Sequence, residues 1–159
     1  SSEPTLIPST VWPESFAVAE VKLFRHMATQ VPRGNFHLKC LYLCTRILVG
    51  TGFSEYNMKT VVMHLLTTRA PSAWCRRKFL TRLHEIMCQL HLCLQEKRLD
   101  HFFLGNKNVP REIILPAGFQ TAKPSNLFKH LLQDSEAHAK ALCEFEELQD
   151  WLARLHYYG

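Results

Sequence analysis

The sequence of 159 residues lacks several features that would place it in other protein classes. No stretch approaches the roughly 18 to 20 uncharged residues that a helix needs to cross a bilayer, and its first residues do not resemble a signal peptide. Internal repeats and low-complexity tracts are also missing, so neither a solenoid nor a biased linker is indicated. With 47% hydrophobic and 21% charged residues, the composition predicts one soluble globular domain.

The sequence also lacks any Cys-x-x-Cys pair, although it contains six cysteines. A disulfide framework normally belongs to a small secreted chain without a core, whereas this chain is large enough to have one. All but Cys75 fall within apolar-rich helical stretches, so we expect reduced, buried thiols and a cytosolic location. The cysteines are Cys40, Cys44, Cys75, Cys88, Cys93 and Cys143.

Negative charge is in modest deficit, and the formal net charge is +5. A basic balance favours phosphates, acidic proteins or anionic lipid headgroups as partners, and it leaves double-stranded nucleic acid as one hypothesis. The basic residues are densest at Arg76, Arg77, Lys78 and Arg82. Because +5 is mild for this length, a solvated surface without a partner is the alternative interpretation.

Helical periodicity and helix-start and helix-stop residues predict an all-α bundle of five or six helices at residues 12–159, after an extended lead-in at 1–11. Pro13 suits a first helical turn, whereas Ser54 and Ser72 are expected N-caps and Ser135 is expected to start the last helix. A lone extended segment is predicted at 112–116. The predicted helices span about 12–31, 36–49, 54–69, 73–98, 125–132 and 135–158.

Apolar side chains recur at helical spacing in each predicted helix, which indicates one buried face per helix. In the helix at 73–98, the opposite face is expected to meet water and includes Arg82 and Glu85. The last helix has a seam that suits another helix, within this chain or outside it. The predicted inward residues are Ala17, Val21, Phe24 and Ala28; Cys40, Leu43, Cys44, Ile47 and Leu48; Met58, Val61, Val62 and Leu65; Phe79, Leu83, Ile86, Met87, Leu90 and Leu94; and Ala141, Phe145, Leu148, Leu152 and Leu155.

One stretch carries most of the functional information. It reads FSEYNMKTVVMH at 53–64, is followed by Trp74, and leads through a long helix into EKRLDHFF at 96–103. Over about residues 12–158, this pattern resembles the C-terminal helical lobe of the Mab-21 family, which also includes the cyclic GMP-AMP synthase. The sequence at 44–66 and 96–106 looks closest to that of the inositol trisphosphate receptor-interacting proteins and their paralogues named receptor-interacting protein-like.

The resemblance implies a two-lobed parent of nucleotidyltransferase type. In that fold, a Gly-Ser turn holds phosphates and acidic residues on adjacent strands hold Mg²⁺. This sequence has no Gly-Ser pair, and its only Glu-x-Glu, at Glu144 and Glu146, falls in a predicted helix. Residues two apart on a helix point about 200° away from each other and cannot share a metal. We therefore predict no catalytic residues in this chain.

Ser54 and Tyr56 are the candidate nucleotide-binding residues. In the resembling synthase, the serine and tyrosine of this motif lie at the mouth of the cleft, where the tyrosine stacks on a base. The outward N–H groups of a helix start suit phosphates, although Glu55 would repel them. The alternative interpretation makes Ser54 a helix cap and Tyr56 a packing residue.

Metal binding is the other possibility that the sequence raises. The synthase carries a zinc-holding insertion between the first two helices of this lobe, but here the connection at 30–35 contains no ligand residue. His84, Cys88 and His91 are spaced four and three apart on one predicted helix and could face a cation, or they could simply pack or hydrogen-bond. His64 reads as a partly buried, hydrogen-bonded histidine. We predict no metal and no cofactor.

The resemblance implies a non-catalytic interaction and regulatory domain, cytosolic, in a membrane-associated parent. Its expected partner is a receptor or channel, the membrane would be reached only through other parts of the parent, and no nucleic acid partner is expected. The alternative is the substrate-side lobe of a nucleotidyltransferase that makes a cyclic dinucleotide. Self-association is a further expectation, because a face that covers a catalytic lobe would be bare here.

Overall fold

The structure, a computed structural model, describes residues 12–30, 36–47 and 54–158. Within these ranges no β-strand occurs, and a single antiparallel bridge joins Asp100 to Asn126. The all-α prediction is confirmed, while the predicted lead-in at 1–11 and the connection at 31–35 lie outside the described residues. The helices are α1 (Trp12–Gln30), α2 (Phe36–Ile47), α3 (Glu55–Thr68), α4 (Phe79–Glu96), α5 (Lys129–Gln133) and α6 (Ser135–Tyr158), with 3₁₀ turns at Pro71–Trp74 and Arg76–Lys78 between α3 and α4.

Helix α4 lies at the centre of the bundle. It packs against α2, α3 and α6, while α2 and α3 also pack together. Its predicted stripe from Leu83 to Leu94 is buried in the core. No helix in the described ranges is both long enough and apolar enough to cross a membrane.

Helix α1 buries a different face from the one that its spacing predicted. Phe16, Ala19 and Leu23 are in the core, whereas Ala17 is exposed and Val21 is 49% exposed. Helix α1 carries two overlapping apolar stripes, and the one that contains the larger side chains is buried. The result leaves an apolar strip on the outside of α1.

Helix α3 begins with the cap that its sequence predicted. The Ser54 hydroxyl accepts a hydrogen bond from the Asn57 backbone N–H at 3.0 Å, and the Asn57 side chain accepts one from the Ser54 N–H at 3.0 Å. This reciprocal arrangement is a capping box, which satisfies two backbone donors that a helix start otherwise leaves without partners. The predicted stripe of Met58, Val61, Val62 and Leu65 is buried.

Replacing the cap by Ser54→Ala is expected to lower the free energy of unfolding by about 1 kcal/mol. Urea denaturation should show a lower midpoint with an unchanged slope. Ser72→Ala is the matched control, since Ser72 is exposed and no side chain caps the 3₁₀ turn in which it lies. Equal losses in the two variants would contradict the capping role of Ser54.

The start of the long helix was predicted wrongly. We expected Ser72 to cap a helix from residue 73, but α4 begins at Phe79 after the two 3₁₀ turns. The reason is Trp74, which is 1% exposed and inserts into the core from the first turn, while Cys75 is extended between the two turns. A continuous helix from residue 73 would not permit that extended break.

The brief helix that was predicted at 125–132 is confined to the five residues of α5. Asn126 explains the difference, because its side chain bonds to the chain that follows α4. Its amide donates to the Lys97 carbonyl at 2.9 Å and accepts from the Leu99 N–H at 2.9 Å. Residues 125–127 are therefore held beside 99–101 in an extended pairing that excludes a helix.

Gly105 occupies a backbone position that other residues rarely adopt, with a φ of +63°. A Cβ added there would lie 2.6 Å from the Ala122 carbonyl oxygen. Gly105→Ala is therefore expected to destabilise the domain by about 2 kcal/mol, measured by urea denaturation. Lys107→Ala, an exposed change in the same loop, should stay within about 0.5 kcal/mol. A Gly105→Ala variant as stable as this control would contradict the constraint.

The prediction that the cysteines are buried holds only in part. All six are unpaired, but Cys88 and Cys143 are exposed and Cys75 is half-buried. Burial raises the pKa of the Cys40 thiol to about 12 and keeps it protonated. An apolar-rich helix has exposed as well as buried positions. Apolar neighbours in the sequence therefore do not determine whether a cysteine side chain is buried.

Candidate functional site

The candidate site lies at the start of α3, where the sequence motif places Ser54 and Tyr56. Ser54 is exposed and serves as the helix cap, and Tyr56 is partly buried one residue inside the helix. The Tyr56 hydroxyl lies 2.5 Å from Nε2 of His101, in the segment that follows α4. The two motif residues are therefore close together, and the phenol oxygen already has a partner within the domain.

The tautomer of His101 follows from its second ring nitrogen. The Phe103 backbone N–H donates to Nδ1 of His101 at 3.2 Å, so Nδ1 is an acceptor. Burial lowers the pKa of His101 to about 4, and the ring is neutral near pH 7. We infer that its one proton is on Nε2 and is donated to the Tyr56 oxygen. Tyr56 thereby keeps its own phenolic proton, and burial raises its pKa.

A second contact ties the same end of α3 to α1. The Lys59 ammonium lies 3.6 Å from a carboxylate oxygen of Glu20 and 3.7 Å from one of Glu55. Burial raises the pKa of Glu20, while the nearby Lys59 lowers it. The aromatic ring of Phe16, also on α1, lies 4.2 Å from the His101 ring between centroids. The start of α3 is thus a junction of α1, α3 and the segment at 99–103.

His64 extends this junction two turns further along α3. Its Nε2 lies 2.8 Å from the Asp100 carbonyl oxygen, and its ring meets the Phe102 ring edge-on at 5.3 Å. The expectation that His64 is partly buried and hydrogen-bonded is confirmed. The tyrosine and the histidine of the motif therefore both hold the segment that contains LDHFF.

His101, Glu20 and Lys59 are the residues that sequence reasoning missed. The LDHFF segment was interpreted only as part of the pattern that resembles the family, and nothing in its local sequence indicated a contact with Tyr56. Lys59 offered a weak signal, since it stands four residues after Glu55 on a predicted helix. Glu20, 39 residues before Lys59, offered none.

The candidate cation ligands on α4 do not converge. His84 Nε2 lies 3.4 Å from the Cys88 sulfur, whereas the His91 ring stacks on Phe145 at 4.7 Å. In the described part of the chain, no three histidine, cysteine or acidic side chains are grouped as metal ligands would be. Glu146 is exposed and Glu144 half-buried, on α6.

The basic cluster is divided between solvent and core. Arg76, Arg77 and Lys78 are exposed on their 3₁₀ turn, as expected. Arg82 was expected to face water but is only 9% exposed, because its guanidinium pairs with the Glu85 carboxylate at 2.9 Å. Glu85 also accepts from Arg69 at 3.0 Å, so this carboxylate joins the end of α3 to α4.

A surface pocket of about 320 Å³ lies at the other end of α1 and α3. Nε2 of His26 and a carboxylate oxygen of Glu112 are 3.8 Å apart in its wall. Met27 and Leu66 contribute apolar surface, while the remaining lining is mixed in charge and polarity. No set of donors converges there that would define one ligand. The other lining residues are Gln30, Thr67, Arg69, Pro71, Asn108 and Pro110.

Comparison with known proteins gives the family. Residues 39–114 match the family model described as "Mab-21 protein HhH/H2TH-like domain". The chain is 36% identical over 151 residues to the inositol 1,4,5-trisphosphate receptor-interacting protein of Bos taurus and 36% identical over 154 residues to that of Homo sapiens. It is 35% identical over 149 residues to the receptor-interacting protein-like 1 of Rattus norvegicus.

These alignments cover 91%, 92% and 88% of this chain but only 27%, 28% and 27% of the bovine, human and rat proteins. The chain thus spans about a quarter of the length of these relatives. No solved structure matches the sequence. The motif around Tyr56, the all-α bundle and these similarities agree: residues 39–114 belong to the Mab-21 family as an HhH/H2TH-like domain, and the chain is similar to part of the inositol trisphosphate receptor-interacting proteins.

Proposed function

We propose that this chain is a non-catalytic, protein-binding regulatory domain whose partner is an inositol trisphosphate receptor or a related receptor or channel. The observation that carries the proposal is the 36% identity, over 91% of the chain, to a protein named for its interaction with that receptor. Identity at this level, spread over nearly the whole domain, indicates that the fold is shared.

The experiment is direct binding of the purified chain to a purified inositol trisphosphate receptor by biolayer interferometry. We expect saturable binding that an equally basic, unrelated helical protein does not reproduce. Absence of saturable binding at chain concentrations up to about 100 μM would contradict the proposed partner. A dissociation constant above that concentration corresponds to a binding free energy weaker than about 5.5 kcal/mol.

Non-catalytic action is supported by the side chains at the start of α3. Tyr56 accepts a hydrogen bond from His101, Lys59 is engaged with Glu20 and Glu55, and Ser54 caps the helix. Every polar side chain of the candidate nucleotide site therefore has a structural role. The alternative, a substrate-side lobe of a nucleotidyltransferase, requires some of them to be released for a nucleotide.

Titration with ATP and GTP separates these two functions. We expect no heat of binding in calorimetry at millimolar nucleotide, either for the parent chain or for Tyr56→Ala, which removes the ring that would stack on a base. Binding to the parent chain that is lost in Tyr56→Ala would support the nucleotidyltransferase alternative instead. Ser72→Ala, at an exposed position outside the motif at 53–64, is the control variant.

We further propose a cytosolic location for this domain, within a protein that associates with a membrane through its other parts. Six unpaired cysteines, three of them buried, support a reducing compartment. Self-association is proposed through the exposed strip on α1, where Val18 is 53% and Val21 49% exposed. Sedimentation velocity should show mass rising with concentration, and a monomer at every concentration would contradict it.

A further inference from the structure

Positive charge is concentrated in the first half of the domain. Between Glu20 and Glu85 the sequence contains eleven lysines and arginines and a single acidic residue, Glu55. Ten of the fourteen acidic residues lie at or after Glu85. The net charge of +5 therefore conceals a strongly basic segment that is followed by an acidic one.

Part of this positive charge is neutralised inside the domain. Lys59 pairs with Glu20 and Glu55, and Arg69 and Arg82 share Glu85. A second group of cations makes no ion pair with any described residue, and all of its members are exposed. Five of these are Lys39 and Arg46 on α2 and Arg76, Arg77 and Lys78 on the second 3₁₀ turn, and two more, Lys22 and Arg25, lie on α1.

Helix α2 and the second 3₁₀ turn, which carry five of these unpaired cations, are neighbours. The His37 ring of α2 meets the Trp74 ring edge-on, with centroids 6.3 Å apart. Further along α2, the Cys40 thiol is close enough to Arg82 for the guanidinium charge to oppose the rise of its pKa. Helix α2 is thereby packed on the segment from Trp74 to Arg82, and the outward side chains of both belong to adjoining surfaces.

We name this surface the basic face and define it by Lys39, Tyr42 and Arg46 on α2 together with Arg76, Arg77 and Lys78. Apolar groups lie among its charges, since Tyr42 is 63% exposed and the adjacent Leu80 is 55% exposed. The Arg46 guanidinium donates to the Tyr42 hydroxyl at 3.3 Å and lies 5.5 Å from the ring. Arginine and tyrosine are, with tryptophan, the side chains that are enriched at protein-binding hot spots.

We propose that the basic face binds an acidic segment of a partner protein, with carboxylates paired to Arg46, Arg76 and Arg77 and an apolar side chain on Tyr42 and Leu80. The planar arginine fork matches a carboxylate with two parallel hydrogen bonds. Lys39, Arg46 and the three cations of the 3₁₀ turn give this face a local charge of +5, which no described residue of the chain neutralises. The carboxylates of an acidic segment would neutralise it. The proposal rests on the proposed protein-binding function and adds the chemistry of the partner.

Two other anionic partners fit the basic face less well. A membrane surface favours a helix that presents an apolar side to the lipid, but α2 buries its apolar side, including Leu41 and Cys44, in the core. Double-stranded DNA presents phosphates to the cations but nothing to cover Leu80. An acidic peptide with an apolar residue supplies both contacts.

The test uses a fluorescein-labelled peptide of glutamate and aspartate around a central leucine, with fluorescence anisotropy as the readout. We expect the double variants Lys39→Glu/Arg46→Glu and Arg76→Glu/Arg77→Glu each to weaken binding about tenfold or more. Lys107→Glu/Lys123→Glu changes the net charge equally, at exposed positions outside the face, and should weaken binding less than threefold. Circular dichroism confirms that each variant is folded.

Equal weakening by all three double variants would overturn the proposal, because only net charge would then matter. Tighter binding of labelled double-stranded DNA, or of phosphatidylserine vesicles, through the same residues would overturn it in favour of that partner. The receptor assay separates the two proposals. Receptor binding that survives both face variants rejects the basic face alone, whereas peptide binding without receptor binding rejects the receptor alone.

Discussion

Acidification from pH 7 to pH 4 is expected to lower the free energy of unfolding by about 3 kcal/mol for each of two buried histidines, His37 and His101. Burial lowers the pKa of both to about 4 from an ordinary value of 6.5. As the pH falls from 6.5 to about 4, these two histidines are therefore protonated in the unfolded chain but still neutral in the folded chain. Their contribution to stability is full above pH 6.5 and is lost across that window.

His37 is the clearer of the two cases. It is 0% exposed, and neither ring nitrogen has a hydrogen-bond partner in the described part of the chain. Glu20 acts in the opposite direction, since its raised pKa adds stability as the pH falls, but it has Lys59 beside it. Protonation of the two histidines lowers the free energy of unfolding by more than this single carboxyl raises it, so acid destabilises the domain.

Urea denaturation at several pH values measures the effect. His37→Phe preserves the ring that stacks on Phe24 and is expected to remove about half of the pH dependence between pH 6.5 and 4. His84→Gln, an exposed change on α4, should retain the pH dependence of the parent chain. A parent chain whose stability is flat across this window, or a His37→Phe variant with the full slope, would contradict the account.

Trp74→Ala is expected to cost about 3 to 5 kcal/mol, the usual loss for removing a fully buried large aromatic side chain. Trp74 is 1% exposed and joins α2 to the start of α4 through its edge-on contact with His37. Its removal leaves a cavity where three elements meet. The measurement is the midpoint of urea denaturation at pH 7.

Two further variants make this prediction specific. Trp74→Phe keeps a ring in the site and removes an indole N–H that has no partner among the described residues, so its cost should stay below about 2 kcal/mol. Trp151→Ala, at a position 46% exposed on α6, should cost less than about 1 kcal/mol. Similar losses for Trp74→Ala and Trp151→Ala would show that Trp74 is not a core residue.

Local chemistry determined much of this fold. The helix class, the capping box at Ser54, the start of α6 at Ser135 and the buried stripe of α3 all follow from interactions between residues within four positions. Such interactions depend on the spacing of side chains along one helix, which can be read directly from the sequence.

The places where prediction failed depend on distant partners. Contacts with residues far away in the chain decided three features. Phe16 determines which stripe of α1 is buried, Trp74 determines where α4 begins, and Asn126 holds 125–127 extended. No helix was predicted between residues 99 and 124, yet Phe102, Phe103 and Phe119 in that segment are all 0% exposed.

The candidate site divides in the same way. The sequence alone determined that Ser54 caps a helix, that Tyr56 stands in its first turn, and that these residues belong to a Mab-21 motif. Only the tertiary structure joined Tyr56 to His101 and Lys59 to Glu20, and only it placed α2 beside the turn at Arg76–Lys78. The physical reason is range: capping and periodicity act within a helical turn, whereas burial and charge pairing depend on which elements pack together.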